Sequence, residues 1–197
     1  MTNNQIKGME AGFNFLEMVF FKILMITDGR TTDILETLMD ESMSLQVMRQ
    51  EQIDDEHTLQ LGKAGGAPYY VRESVLIGGN SGLVLSHNVA LVCSKFVPPV
   101  MFEAIASKQE GIGKTISTLG LQTSRKIIDY GWINENETVD LFHNPMKLRF
   151  STTIRKAPYK IYSIQFGQHT GIYLLEYYNP DMVAYRVKQM LNEMNRG

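Results

Sequence analysis

A single cysteine, Cys93, rules out an internal disulfide and suits a reducing cytoplasm. Neither sign of charge is in excess: 19 basic residues face 21 acidic ones, a formal net charge of -2. Nothing global therefore draws the chain to nucleic acid or to an anionic membrane, and any anionic ligand must be caught locally. Long apolar runs are missing as well. The stretch from Phe13 to Ile26 is broken by Glu17 and Lys22 and falls short of the roughly 20 residues a membrane span needs, so it reads as a core helix. The start, Met1-Thr-Asn-Asn-Gln-Ile-Lys7, has no basic opening, apolar run or small-residue cleavage site of a signal peptide. The expected location is cytoplasmic, with no membrane partner, and Asn136-Glu-Thr138 is then a chance glycosylation triplet.

Catalytic signatures are also scarce. His57, His87, His143 and His169 are spread out, none four residues from another or beside the cysteine, so no metal site is expected. Cys93 lies in an apolar strand with no base nearby and reads as a small buried hydrophobe. There is no Gly-x-Ser-x-Gly elbow and no dinucleotide fingerprint. Gly111-Ile-Gly-Lys-Thr115 resembles the end of a phosphate-cradling loop, but Lys108 stands where that pattern requires glycine, and the residues upstream look helical. Nucleotide binding is rejected, and no cofactor is expected. Backbone amides around Ile112 and Gly113 can still form a small anion-binding nest.

What remains is an ordinary globular composition, 44% hydrophobic and 20% charged over 197 residues, enough to bury a core as one domain spanning 1–197. Helical spacing over residues 11–39 breaks at Thr27-Asp-Gly-Arg-Thr31, which predicts two helices joined by a turn. Strands are expected over 44–51, 69–77, 82–93, 122–130, 159–166 and 172–178, with hairpins at 78–82 and 167–171. A short helix is expected over 101–107. Asn179-Pro180 opens a closing helix that carries Val183, Val187, Met190 and Met194 on one face. The glycine-rich segment 62–67 reads as a connector or as a mobile loop over a site. The pattern is α+β: a single antiparallel sheet of about six strands flanked by helices, without repeats or linkers.

Two lone charges stand out within the strands. In Tyr69-Tyr-Val-Arg-Glu-Ser-Val-Leu-Ile77, alternation puts Arg72 on the face of Tyr70, Ser74 and Leu76. In Gly171-Ile-Tyr-Leu-Leu-Glu-Tyr-Tyr178, it sets Glu176 beside Ile172, Leu174 and Tyr178. Ionised groups facing an apolar layer are costly unless paired or used. Either the two pair with each other, or they grip a ligand from two sides.

The order Tyr-Val-Arg-Glu-Ser-Val-Leu-Ile, Val97-Pro98, Gly111-Ile-Gly-Lys, Thr123-Ser-Arg-Lys-Ile and Ile172-Tyr-Leu-Leu-Glu-Tyr-Tyr resembles the chorismate pyruvate-lyase family over about residues 24–178. That resemblance implies an enzyme that eliminates pyruvate from chorismate to give 4-hydroxybenzoate, in a pocket under two helical flaps and without a cofactor. It implies that Arg72 clamps the ring carboxylate, helped by backbone at Ile112 and Gly113 and at Arg30, and that Glu176 donates or relays a proton. Where those lyases carry a further arginine, this chain has Asn88, which suits a binder better than a catalyst. The alternative is a non-catalytic protein of the same fold that binds a small aromatic acid or effector, like the sensor domains of bacterial regulators. Residues 1–40 are too few and too acidic to supply a helix-turn-helix, which favours the enzyme.

Overall fold

The computed structural model describes residues 3–53, 61, 68–107, 110–150 and 156–195. Two helices, α1 (Asn3–Ile26) and α2 (Thr31–Met39), precede three strands, β1 (Met43–Ile53), β2 (Tyr69–Gly78) and β3 (Val84–Cys93). Two short helices follow, α3 (Pro99–Ala106) and α4 (Ile112–Thr118), then β4 (Ser124–Asn134), β5 (Lys156–Phe166), β6 (His169–Tyr178) and the closing helix α5 (Met182–Met194). The glycine-rich segment 62–67 and His57 lie outside the described residues.

The six strands form one antiparallel sheet in the order β1-β2-β3-β6-β5-β4. It consists of two three-stranded meanders, each joined by hairpins or a longer return, that meet where β3 pairs with β6. The expected α+β sheet of six strands is therefore what forms. Tight turns set the register: Gly82 (φ 67°) between β2 and β3 and Gly167 (φ 62°) between β5 and β6 hold left-handed backbone that a side chain would disfavour.

Several boundaries differ from the sequence expectation. Helix α1 begins eight residues earlier than residue 11, and β6 begins at His169, which shortens the expected 167–171 loop to a two-residue turn. Helix α5 starts at Met182, not at Pro180, because the Asn179 carboxamide accepts the Asp181 amide at 3.0 Å and donates to the Val84 carbonyl at 2.8 Å, fixing the entry first. No helix is expected over 111–118 from the sequence, yet Gly111 caps the two-turn helix α4, whose first amides are those of Ile112 and Gly113 and which stops before Gly120 (φ 60°).

Each face of the sheet buries its own core. On one face α1, α2 and α5 pack Phe21, Leu24, Leu35 and Met182 against Leu76, Leu85 and Tyr178, while α3 and α4 pack Met101, Ile105 and Ile116 against Ala90, Ile164 and Leu174. On the other face Leu141, Leu148 and Phe150 cover Val71, Val89, Leu91 and Leu175. Tyr177 pins that cover, donating its hydroxyl to the Val139 carbonyl at 2.8 Å.

The covered face also holds a buried histidine. His87 Nε2 lies 2.8 Å from Glu73 Oε1, while Nδ1 is buried without a partner among the described residues. Burial pushes the imidazole below its ordinary 6.5, against the raising influence of the Glu73 carboxylate. Between the depressed folded value and 6.5, the unfolded chain binds the proton and the folded chain does not. The resulting stability is complete above about pH 6.5 and is lost as pH falls through the folded value. Urea unfolding of wild type and His87→Gln across this window should show a steeper acid loss for wild type; parallel curves would exclude His87 as the cause.

Candidate functional site

The register lays the polar residues of the helix-covered face out in rows that run across the strands. One row reads Gln50, Arg72, Ala90, Leu174 and Tyr162; the next reads Ser74, Asn88, Glu176 and Lys160. The rows are two residues, about 6.6 Å, apart along each strand. Above them the turn at Gly29–Thr32 and the start of α4 at Gly111–Gly113 leave a cavity of about 70 Å³. That space holds roughly five to seven water-sized groups. Arg30, Arg72, Ile112, Gly113 and Glu176, the five residues singled out from the sequence, all line it.

Arg72 stands at the end beneath α3 and α4. It is 2% exposed, and burial pushes its guanidinium down to about 10. Two of its five N–H donors are held by main-chain carbonyls: Nη1 donates to Ile105 at 3.3 Å and Nη2 to Glu110 at 2.7 Å. Ile105 lies in the last turn of α3, where the carbonyl end of a helix favours a cation. Among the described residues no carboxylate pairs with Arg72, so the simple alternative of an Arg72–Glu176 salt bridge does not hold. Arg125, on β4, also lines the cavity and donates Nη1 to the Asp28 carbonyl at 3.0 Å. It too has no carboxylate partner among the described residues. Neither α2 nor α4 has a side-chain cap on its first amides.

Glu176 occupies the other end, 6% exposed, and its two oxygens are taken. Oε2 accepts from Tyr178 at 2.6 Å and from Thr31 at 3.1 Å, and Oε1 accepts from Tyr162 at 3.2 Å. Lys160 Nζ sits 3.6 Å from Oε2 and donates to Thr31 Oγ1 and the Leu24 and Thr27 carbonyls at 3.2–3.5 Å. Burial pulls the Lys160 ammonium below its ordinary range while Glu176 pushes back. Burial, reinforced by the Glu176 charge, drives both tyrosine hydroxyls well above 10. Glu176 thus accepts from three hydroxyls and lies beside an ammonium.

Arg30 sits at the N-cap of α2, paired through its guanidinium with Asp33, its Nε buried without a partner. The sequence reading missed Lys160 altogether and quoted Arg125 only within a motif, without a role. Of the histidines, His169 stacks on Phe96 at 4.5 Å between ring centroids, and among the described residues no three His, Cys, Asp or Glu side chains gather as a metal would require. No described helix is long and apolar enough to cross a membrane.

Protein-family models and curated protein sequences give no match to this chain. Solved structures do. The effector domain of PhnF from Mycobacterium smegmatis superposes with a TM-score of 0.51 at 14% identity, over 79% of this chain and 91% of that one. PhnF itself gives 0.51 at 14% identity, over 80% and 66%. The possible transcriptional regulator YydK from Bacillus subtilis gives 0.47 at 13% identity, over 71% of this chain and 60% of that chain, so this chain spans well short of that regulator's full length. The neighbour that superposes at 0.51 is an effector domain and not a chorismate lyase, which corrects the family membership read from the sequence motifs. The motifs fall on β2, the entry to α3, the turn into α4, β4 and β6. At such low identity the likeness establishes the fold alone: this chain has the α+β architecture of the PhnF effector domain.

Proposed function

We propose that the protein is a non-catalytic, effector-binding module whose cavity takes one small organic acid. The observation that carries this reading is the buried Arg72 guanidinium, which has no acidic partner among the described residues and lines a cavity shared with Arg125. A buried cation is expensive unless an anion meets it. A carboxylate fits between Arg72 and the first amides of α4 at Ile112 and Gly113, since a planar guanidinium offers paired N–H groups. The apolar body of the acid then lies against Leu76, Ala90, Ile164 and Leu174.

Binding without turnover is the better reading because Glu176 is the one carboxylate among the described residues lining the cavity and its oxygens already accept hydrogen bonds. Among the described lining residues there is no histidine, cysteine or second carboxylate. The fold shared with an effector domain supports the same role.

Titration calorimetry with short monocarboxylates tests it. Saturable binding of one acid per chain, weakened by rising salt and with the acid recovered unchanged, is the expected result. Heats indistinguishable from dilution across acetate, propionate and butyrate at millimolar concentration would refute the reading.

A further inference from the structure

Resting on the acid-site reading, we infer that Asn88, flanked by Ser74, is a hydroxyl-reading subsite, so that the preferred ligand is a hydroxy acid. Asn88 is 8% exposed and lines the cavity. Its Oδ1 is fully buried and has no hydrogen-bond partner among the described residues. Its neighbours in the row do not relieve it. Glu176 is engaged with Thr31, Tyr162, Tyr178 and Lys160, and no hydrogen bond joins Ser74 to the carboxamide.

A buried acceptor left unpaired gives up its water and gets nothing in return. A fold gains nothing from carrying that cost unless the group meets something else. The partner must be a donor small enough for the space left. A hydroxyl both donates and accepts, so it satisfies the carboxamide whichever way its oxygen and nitrogen are turned. An ammonium would meet two arginines without acidic partners, while the only lining carboxylate is already countered by Lys160. The Asn88 row lies about 6.6 Å along the strands from the Arg72 row. The hydroxyl therefore stands several bonds from the carboxylate, as at the far end of a four-carbon chain, which the cavity of about 70 Å³ accommodates.

Calorimetry with butyrate and 4-hydroxybutyrate, on the whole chain and on Asn88→Leu, tests the subsite. Wild type should prefer the hydroxy acid by at least about tenfold, since a site built around a hydroxyl rejects the analogue lacking it. In Asn88→Leu the preference should vanish or invert; Asn88→Ala serves if the leucine variant does not fold. Equal affinities in wild type, with both lost in Arg72→Met, would overturn the hydroxyl subsite and leave the acid-site reading standing. No saturable binding of either acid would overturn both.

Discussion

Replacing Arg72 with methionine is expected to weaken acid binding by roughly 30-fold to 1,000-fold, the equivalent of about 2–4 kcal/mol for removing one partner of a buried charged contact. The same variant should unfold at a temperature equal to or above wild type when no ligand is present. Both outcomes follow from one fact: without an occupant, the guanidinium is a desolvated cation answered, among the described residues, only by the carbonyls of Ile105 and Glu110. Methionine fills similar space without that desolvation cost. Stability and binding thus move in opposite directions, as they do where a site is retained for use and not for folding. Calorimetry and thermal unfolding on the same preparation decide the matter. An unchanged dissociation constant removes Arg72 from the site, and a sharp loss of apo stability makes it a structural pillar.

Glu176 and Lys160 should behave in the opposite way. Glu176→Leu leaves the Lys160 ammonium buried against the Leu24 and Thr27 carbonyls with no anion to answer it. The expected loss is about 3–5 kcal/mol, a fall in Tm of roughly 6 to 20 °C for a chain of this size. Lys160→Met should cost less, because Thr31, Tyr162 and Tyr178 still donate to the carboxylate. The double variant Lys160→Met/Glu176→Leu should recover a large part of the single loss, since an apolar pair can replace a buried ion pair at little cost. Denaturant titration of the four proteins measures the coupling. Additive losses would show that the two charges do not depend on each other.

The sheet was legible because its strands alternate and its turns carry glycine where left-handed backbone is required. Arg72 and Glu176 were legible for the same reason: each interrupts an apolar face. Lys160 was not. In Tyr159-Lys-Ile-Tyr it looks like a solvent-facing residue, and counting back from the two-residue turn at Gly167 places it opposite Leu175. A register shift between Ile164 and Gln165 moves it opposite Glu176 instead. Nothing in the local sequence announces that bulge. The start of α4 was obscured because Gly113 lowers helix propensity, and packing of Thr115 and Ile116 against the body overrides it. The family was misread for a different reason. Short motifs carried by framework strands persist across proteins of one architecture whatever their pockets do.

The lattice of strands also limits how this pocket can change over generations. Ser74, Asn88, Glu176 and Lys160 occupy four adjacent strands at one level, so inserting or deleting a single residue in any of them swaps that strand's inward and outward side chains. Such a lesion would remove a wall of the pocket and ruin the packing on both sides at once. Relatives with new ligand preferences should therefore differ by point replacements at fixed positions, while length variation gathers in the turns above.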